Sequence, residues 1–287
     1  MLLQFVINGL ITGLLYSLLA IGFALVYNTT HIFHIAAAGI YVFAAYMFWW
    51  FDGIMPLWPA AVVAIGMAMI LNYLIDLFVY RPLSRKKASN NIALVSSIGV
   101  MTIIVNLLAL FFGNEPKTVS SAFTRVFDVG IFILSQPQLI QLVCAFILLL
   151  GFVLLFLHSQ IGLKIRAISE DAVLFSSLGY RGNVIRAFAF LMGGFFIAVA
   201  SCLNVIEVGM DVNMGMNIII TAIVAMIIGG TGRIETCILG GLTLGLLQSL
   251  VLIHFSTNWQ NAITFILLLI FLFFRPKGLA GYKQRIV

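Results

Sequence analysis

Two histidines, His31 and His34, stand three residues apart, a spacing that sets two imidazoles on one helical face, as a metal site would begin. No third ligand accompanies them. Only Asp52 is near in sequence, so the pair reads as packed or interfacial and no metal centre is expected. Cys144, Cys202 and Cys237 lie far apart in or beside apolar runs and form no CxxC pair; they read as small hydrophobes of packed helices. The HExxH, GxSxG and GxxxxGKS/T patterns are all missing, which leaves little support for an intramembrane hydrolase and none for a P-loop. What remains is neutral polarity at helical spacing. Asn8, Thr12 and Tyr16 recur at i, i+4 and i+8, Thr102 and Asn106 are one turn apart, and Asn213, Asn217 and Thr221 form a third stripe. Such stripes line a pathway for a polar solute, offering hydrogen bonds without fixed charge, or they bond helix to helix; both readings stand.

The elements that must carry these residues are set by composition. Of 287 residues, 63% are hydrophobic and 8% charged, where a soluble domain carries roughly a quarter charged. Too few ionisable side chains exist to cover a water-facing surface. A soluble enzyme, a disordered regulator and a free nucleotide-binding domain are thereby excluded, and the thinly spread basic residues make no nucleic-acid face. The apolar runs are 3–27, 35–50, 57–79, 91–112, 138–157, 187–206, 217–230, 237–255 and 260–274. They predict an all-α, polytopic transmembrane helix bundle of eight or nine spans, some of them broken or half helices, in one domain over 1–287. The first run has no basic flank and no cleavage site, so it reads as a retained span. Asp76 lies near one end of its run, four residues before Tyr80 and five before Arg81. A helix-end salt bridge or a snorkelling carboxylate is expected there rather than a proton relay. With no acid in mid-membrane, the energy for any pumping must come from elsewhere.

Charge then orients the bundle. Nine crossings place the 81–87 turn, the 158–186 loop, Arg233 and the tail after Phe274 on one side, with thirteen of the 15 basic residues. The other side holds Lys117 and Arg125 against Asp52, Glu115, Asp128, Glu207 and Asp211. Lys and Arg are retained in the cytoplasm, so the first side and the C-terminus are read as cytoplasmic. The first fifty residues contain no basic group, which leaves eight and nine crossings both open.

Two segments suggest working parts. In the loop 158–186, residues 169–178 read as a short amphipathic helix: Ser169 as N-cap, Glu170 and Asp171 in the first turn, and Gly179 as stop. Its apolar residues, among them Phe175, exceed what a solvated loop needs, and suit either a soluble partner or the lipid headgroups. In 227–245, Gly229, Gly230 and Gly232 end one helix at the Arg233 turn, and Gly240, Gly241 and Gly245 allow close packing on re-entry. Gly9 and Gly13 repeat the GxxxG spacing of Gly241 and Gly245. These seven (Gly9, Gly13, Gly229, Gly230, Gly232, Gly241 and Gly245) are the candidate helix-packing glycines.

Four stretches carry a resemblance: Asn8-Gly-Leu-Ile-Thr-Gly through Gly22, the run 162–194 from Gly-Leu-Lys-Ile-Arg-Ala to Leu-Met-Gly-Gly, the 227–245 hairpin, and Leu268 through Phe-Arg-Pro-Lys-Gly to Gly281. In this order they resemble the permease subunits of ABC importers for branched-chain amino acids, specifically the shorter of the two homologous permeases. The resemblance implies an inner-membrane importer built with a second homologous permease subunit, two cytoplasmic ATPase subunits and an extracytoplasmic solute-binding protein. ATP and Mg would sit on the ATPases, leaving this chain without cofactor or enzymatic role. Gly162, Arg166, Glu170, Asp171, Phe175, Gly179 and Arg181 would then belong to the ATPase-coupling loop, and Asn8, Thr12, Tyr16, Thr102, Asn106, Asn217 and Thr221 would line the pathway. The family's polar His-Gly-Glu after the first span is here Ala37-Ala38-Gly39, and a Lys common in members is here Thr221. Branched-chain amino acids lead as solute; urea, short amides and a passive channel are the alternatives.

Overall fold

A computed structural model describes residues 2–119, 126–128, 133–230, 232–253, 255–256, 259–275 and 278–279. Arg125, Pro276, Lys277 and the tail from 280 lie outside the described residues. Each expected apolar run is one helix, with ends displaced by a few residues. These are α1 (Leu2–Thr30), α2 (Ala37–Asp52), α3 (Leu57–Ile75), α5 (Asn90–Phe112), α6 (Gln136–His158), α9 (Gly182–Val208), α10 (Met214–Gly229), α11 (Cys237–Val251) and α12 (Gln260–Phe274). After α3 the chain does not stop. It passes through a π-helical turn, Asp76–Tyr80, into the short α4 (Arg81–Arg85). Six helical stretches are long and apolar enough to cross a membrane: Leu2–Thr30, Leu57–Arg85, Asn90–Phe112, Gln136–His158, Gly182–Val208 and Ile234–Val251. Helices α10 and α12 are apolar but shorter. Helix α2, of 16 residues, is buried along most of its length by α3, α5, α9 and α10.

The local chemistry of the helix ends is ordinary. Glycines at positive φ end α5 (Gly113, +81°), α9 (Gly209, +82°) and α10 (Gly230, +112°), where a side chain would be strained. Helix α6 opens with a capping box between Ser135 and Gln138 and carries Pro137 in its first turn. Among the described residues, an antiparallel pair of short strands, β1 (Val126–Asp128) and β2 (Ile133–Ser135), joins the helices. Gln4 of α1 clamps it, donating to the Ile133 carbonyl at 2.8 Å and accepting from its N–H at 2.9 Å.

Helix α1 is the axis of the bundle, packed on α6, α9, α10 and α11. Helices in lipid gain nothing from burying apolar surface against each other, so they associate where small residues let backbones touch. Gly9 packs on Ser249, Gly13 on Leu242, and Gly241 and Gly245 on Ser17 and Gly13, so α1 and α11 run antiparallel in contact. Ser17 adds a 3.0 Å bond to the Ile238 carbonyl, and Ser249 bonds the carbonyl of Phe5. A second crossing on α1 joins Gly22 to Gly193 of α9, where a Cβ on either side would lie 2.8–2.9 Å from the opposite carbonyl. Gly229 packs under Thr236 and Cys237, as expected of the hairpin, whereas Gly232 faces open space and packs on nothing. Residues after α12 close the same hairpin: Gly278 (φ +74°) lies on Gly230, and Leu279 N–H donates to the Ile228 carbonyl at 2.8 Å.

These contacts set a graded prediction. Gly241→Ala forces a methyl into the Ser17 backbone, which costs about 1–3 kcal/mol as overpacking. Gly232→Ala should stay within about 0.5 kcal/mol. Thermal unfolding in detergent should separate the two; equal melting temperatures would count against the seam.

Candidate functional site

The neutral stripes do not all converge. Tyr16, Asn217 and Thr221 line one half-open cavity of about 440 Å³, together with Ile218, Gln248, Gln260 and Asn261. Gln260 is its bridge: its amide nitrogen is 3.3 Å from both the Tyr16 hydroxyl and the Gln248 carbonyl oxygen. Gln248 donates in turn to Thr264 Oγ1. Among the described residues no charged side chain lines the cavity. Its carboxamides and hydroxyls each combine donor and acceptor, so it offers both kinds of partner to a net-neutral solute. Asn8 and Thr12 lie further along α1, with Asn8 bonded to Gln4. Thr102 and Asn106 are exposed on α5 and satisfy themselves on carbonyls one turn back, Ile98 and Thr102; the structure does not bring them to this cavity. Asn213 precedes α10 and bonds Asp211. Gln248, Gln260 and Asn261 belong to no stripe. The signal that could have found Gln248 is a lone amide in an apolar run.

A second polar cluster lies where α3 meets the start of α9. Asp76 is fully buried and held by two guanidinium groups, Arg81 Nε at 2.8 Å and Arg186 Nε at 2.6 Å. The expected helix-end salt bridge is present, but the carboxylate does not snorkel, because Arg186 arrives from α9 to cover it. The π turn begins at Asp76 and ends at Tyr80, and such turns recur at functional positions. One helical turn away, His34 Nε2 is 2.9 Å from Asn72 Oδ1, and Nδ1 is 2.9 Å from the Tyr80 hydroxyl. Asn72 donates its amide to the Phe190 carbonyl at 2.7 Å, and Ser97 Oγ lies 2.8 Å from both Tyr80 Oη and the Ala36 N–H. With no carboxylate in contact, His34 is neutral. Nε2 then donates to Asn72, Nδ1 accepts from Tyr80, and Ser97 donates to Tyr80. This network pins the α1–α2 link to α3, α5 and α9. His31 and His34 do not share a helical face. His31 lies past the end of α1 at φ +53°, and His34 lies in the following link. Among the described residues no group of three metal-ligating side chains occurs.

The loop after α6 differs from the expected single helix over 169–178. It contains α7 (Gln160–Glu170) and α8 (Ala172–Ser177), broken at Asp171. Ser159, not Ser169, caps α7, accepting from Gly162 N–H at 3.1 Å. Asp171 is extended (φ −151°, ψ 102°) and its carboxylate accepts from Leu174 N–H at 2.9 Å, starting α8. An acceptor one residue before a helix wins over continuation because it satisfies an orphan N–H. Gly162, Ile165 and Ile168 are the buried face of α7, Gly162 being pressed against the Phe156 carbonyl. Phe175 is buried and stacks on Tyr180 at 5.1 Å. Gly179 (φ +84°) turns the chain, and Glu170 and Arg181 are exposed. Leu163, Leu174 and Leu178 remain 58–70% exposed. Arg166 pairs at 3.4 Å with Glu235, in the 3-10 turn Ile234–Thr236 that leads into α11.

Ion pairs thus gather three connections at one end of the bundle: the turn after α3, the α7–α8 loop and the α10–α11 hairpin. At the other end Lys117 pairs backbone to backbone with Met210, its ammonium lies 4.2 Å from the Trp49 ring centre, and Gln138 donates to Glu207 at 2.7 Å. Breaking a buried pair from one side leaves uncompensated charge, at roughly 3–5 kcal/mol. Asp76→Asn should therefore lower the melting temperature more than any single change in the loop, as differential scanning fluorimetry in detergent will read; a silent Asp76→Asn would refute the buried charge assignment.

Comparison with known proteins follows the same outline. The family model described as "Branched-chain amino acid transport system / permease component" matches residues 5–272. The high-affinity branched-chain amino acid transport system permease protein BraD of Pseudomonas aeruginosa is 29% identical, covering 98% of this chain and 96% of its own length. LivH of Escherichia coli K12, a permease protein of the same description, is 28% identical over the same shares. The probable branched-chain amino acid transport permease LivH of Methanocaldococcus jannaschii is 23% identical, over 96% of this chain and 91% of its own. Among solved structures, PsaBC from Streptococcus pneumoniae in complex with Fab shares the fold, with a TM-score of 0.54 at 15% identity over 94% of this chain and 91% of that one. With the family's model running through every helix from α1 to α12, the chain belongs to the branched-chain amino acid transport permease family.

Proposed function

We propose that this chain is a membrane-spanning permease subunit of an ATP-driven importer in a cell inner membrane, carrying a small net-neutral solute, branched-chain amino acids first. The observation that carries the reading is the family match over 5–272. The chain provides passage and no covalent chemistry. It works with a second homologous permease subunit, two cytoplasmic ATPase subunits that hold ATP and Mg, and an extracytoplasmic solute-binding protein. The end bearing the α7–α8 loop faces the cytoplasm, supported by the concentration of Lys and Arg there. Because Gln4 shares the opposite end with the β hairpin, the N-terminus is read as extracytoplasmic and the nine runs as nine crossings.

Within this reading the α7–α8 loop meets the ATPases, and its exposed leucines are the contact. Gly162, Arg166, Glu170, Asp171, Phe175, Gly179 and Arg181 keep their assignment to this loop. The cavity at Tyr16, Asn217, Thr221, Gln248 and Gln260 is this subunit's share of the solute pathway. Urea and short amides are the second reading, favoured by the same lining: carboxamides complement an amide as well as the head of a zwitterion, and Thr221 puts a hydroxyl where family members often carry Lys.

The test is reconstitution of the complex captured through this chain. Vesicles should take up leucine, isoleucine or valine only with ATP and binding protein; uptake of urea or acetamide instead would move the assignment to the second reading. Uptake persisting without ATP, with no ATPase co-purifying, would make it a channel. Gly179→Leu and Asp171→Lys should leave insertion intact and lower transport per ATP hydrolysed, and unchanged coupling would remove the loop's assignment.

A further inference from the structure

Loop and cavity lie at different depths of the bundle, and the importer reading alone does not say how one moves the other. Two ion pairs tie the loop to the helices, one at each end, and they differ in kind. At its exit Arg186 is locked on Asp76, with side-chain exposures of 13% and 0%. At its entry Arg166 holds Glu235 at 3.4 Å, with exposures of 44% and 21%. The buried pair is too costly to open in every cycle. The half-exposed pair contributes less to stability than the buried one and so can form and break more readily.

What Glu235 leads to makes the second contact informative. It sits in the turn directly before α11, and α11 runs as one helix to Gln248 in the cavity wall. Helix α11 lies along α1, which carries Tyr16 on the facing wall. A displacement of α7 that pulls on Glu235 therefore acts on a rigid helix whose far part holds the Gln248–Gln260 bridge. Arg166 is steadied by the Phe156 ring, 5.1 Å away, and its helix packs on α6 and α1, with Gly162 against the Phe156 carbonyl and Ile165 buried. From this geometry we infer that Arg166 and Glu235 are positioning residues for coupling: the loop turns about the fixed Asp76–Arg186 anchor and transmits its movement to the cavity through this pair. The inference rests on the importer reading and adds to it the contact that links ATPase to pathway.

The experiment uses the complete complex in vesicles with three forms of this chain: Arg166→Glu, Glu235→Arg, and the charge-swapped double variant. Each single change should leave yield and melting temperature near wild type while lowering solute carried per ATP on the order of fivefold or more, the range of ordinary coupling between sites. The swap should restore most of the ratio, which a merely structural role would not predict. As a readout independent of solute, Asn261→Cys in a Cys144→Ala background should change its rate of thiol labelling on addition of Mg-ATP, and Arg166→Glu should abolish that change. Wild-type coupling in both single variants, or no recovery on swapping, overturns the inference and leaves the importer reading standing. Absence of ATP-driven uptake by the wild-type complex overturns the importer reading and this inference with it.

Discussion

Backbone contact between helices is the constraint on which the rest depends. In a medium as apolar as the side chains, burial does not hold helices together, so association falls to close packing and a few interhelical hydrogen bonds. Here the small residues of α1 supply both. One edge, Gly9, Gly13 and Ser17, receives α11; Gly22 receives Gly193 of α9. The cavity exists because these two seams fix α1 and α11 while α10 and α12 lean on them, leaving Tyr16, Asn217, Gln248 and Gln260 around a common space.

Against that frame the polar interior has two different jobs. The Asp76 and His34 clusters are held by partners from several helices and act as rivets. Gln260 is joined to Tyr16 and Gln248 by bonds of 3.3 Å, long enough to exchange for a solute's own groups. Ala37-Ala38-Gly39 belongs with the rivets: all three are buried, Gly39 lies against Ile104 of α5, and Gly215 of α10 is pressed on the Ala38 carbonyl. Small size at the start of α2 lets α5 and α10 approach.

Much of this was legible in the residues themselves, and what was not has physical causes. Long apolar runs define helices because lipid leaves the backbone no other partner, so the nine runs became nine helices. The GxxxG pairs on α1 and α11 were visible, though their being each other's partners was not, since no local pattern encodes a contact across more than two hundred residues. The break at Asp171 was hidden because the apolar residues around it fit one helix as well as two. His34, Asn72, Tyr80 and Ser97 are isolated polar residues on different elements, and only assembly makes them a network. Thr102 and Asn106 show the converse: helical spacing without a shared cavity, since both side chains are content with their own backbone.

The partnership of α1 with α11 also has a consequence in time. Ser249 bonds the Phe5 carbonyl across 244 positions, so α1 leaves the ribosome long before its principal neighbour. At about 5–20 residues per second, α1 waits roughly 12–50 s in the bilayer with its glycine edge unmatched. Biogenesis of this protein therefore passes through a long-lived intermediate whose exposed small-residue stripe is open to mispairing, and whatever shelters that stripe during synthesis sets the yield of folded permease.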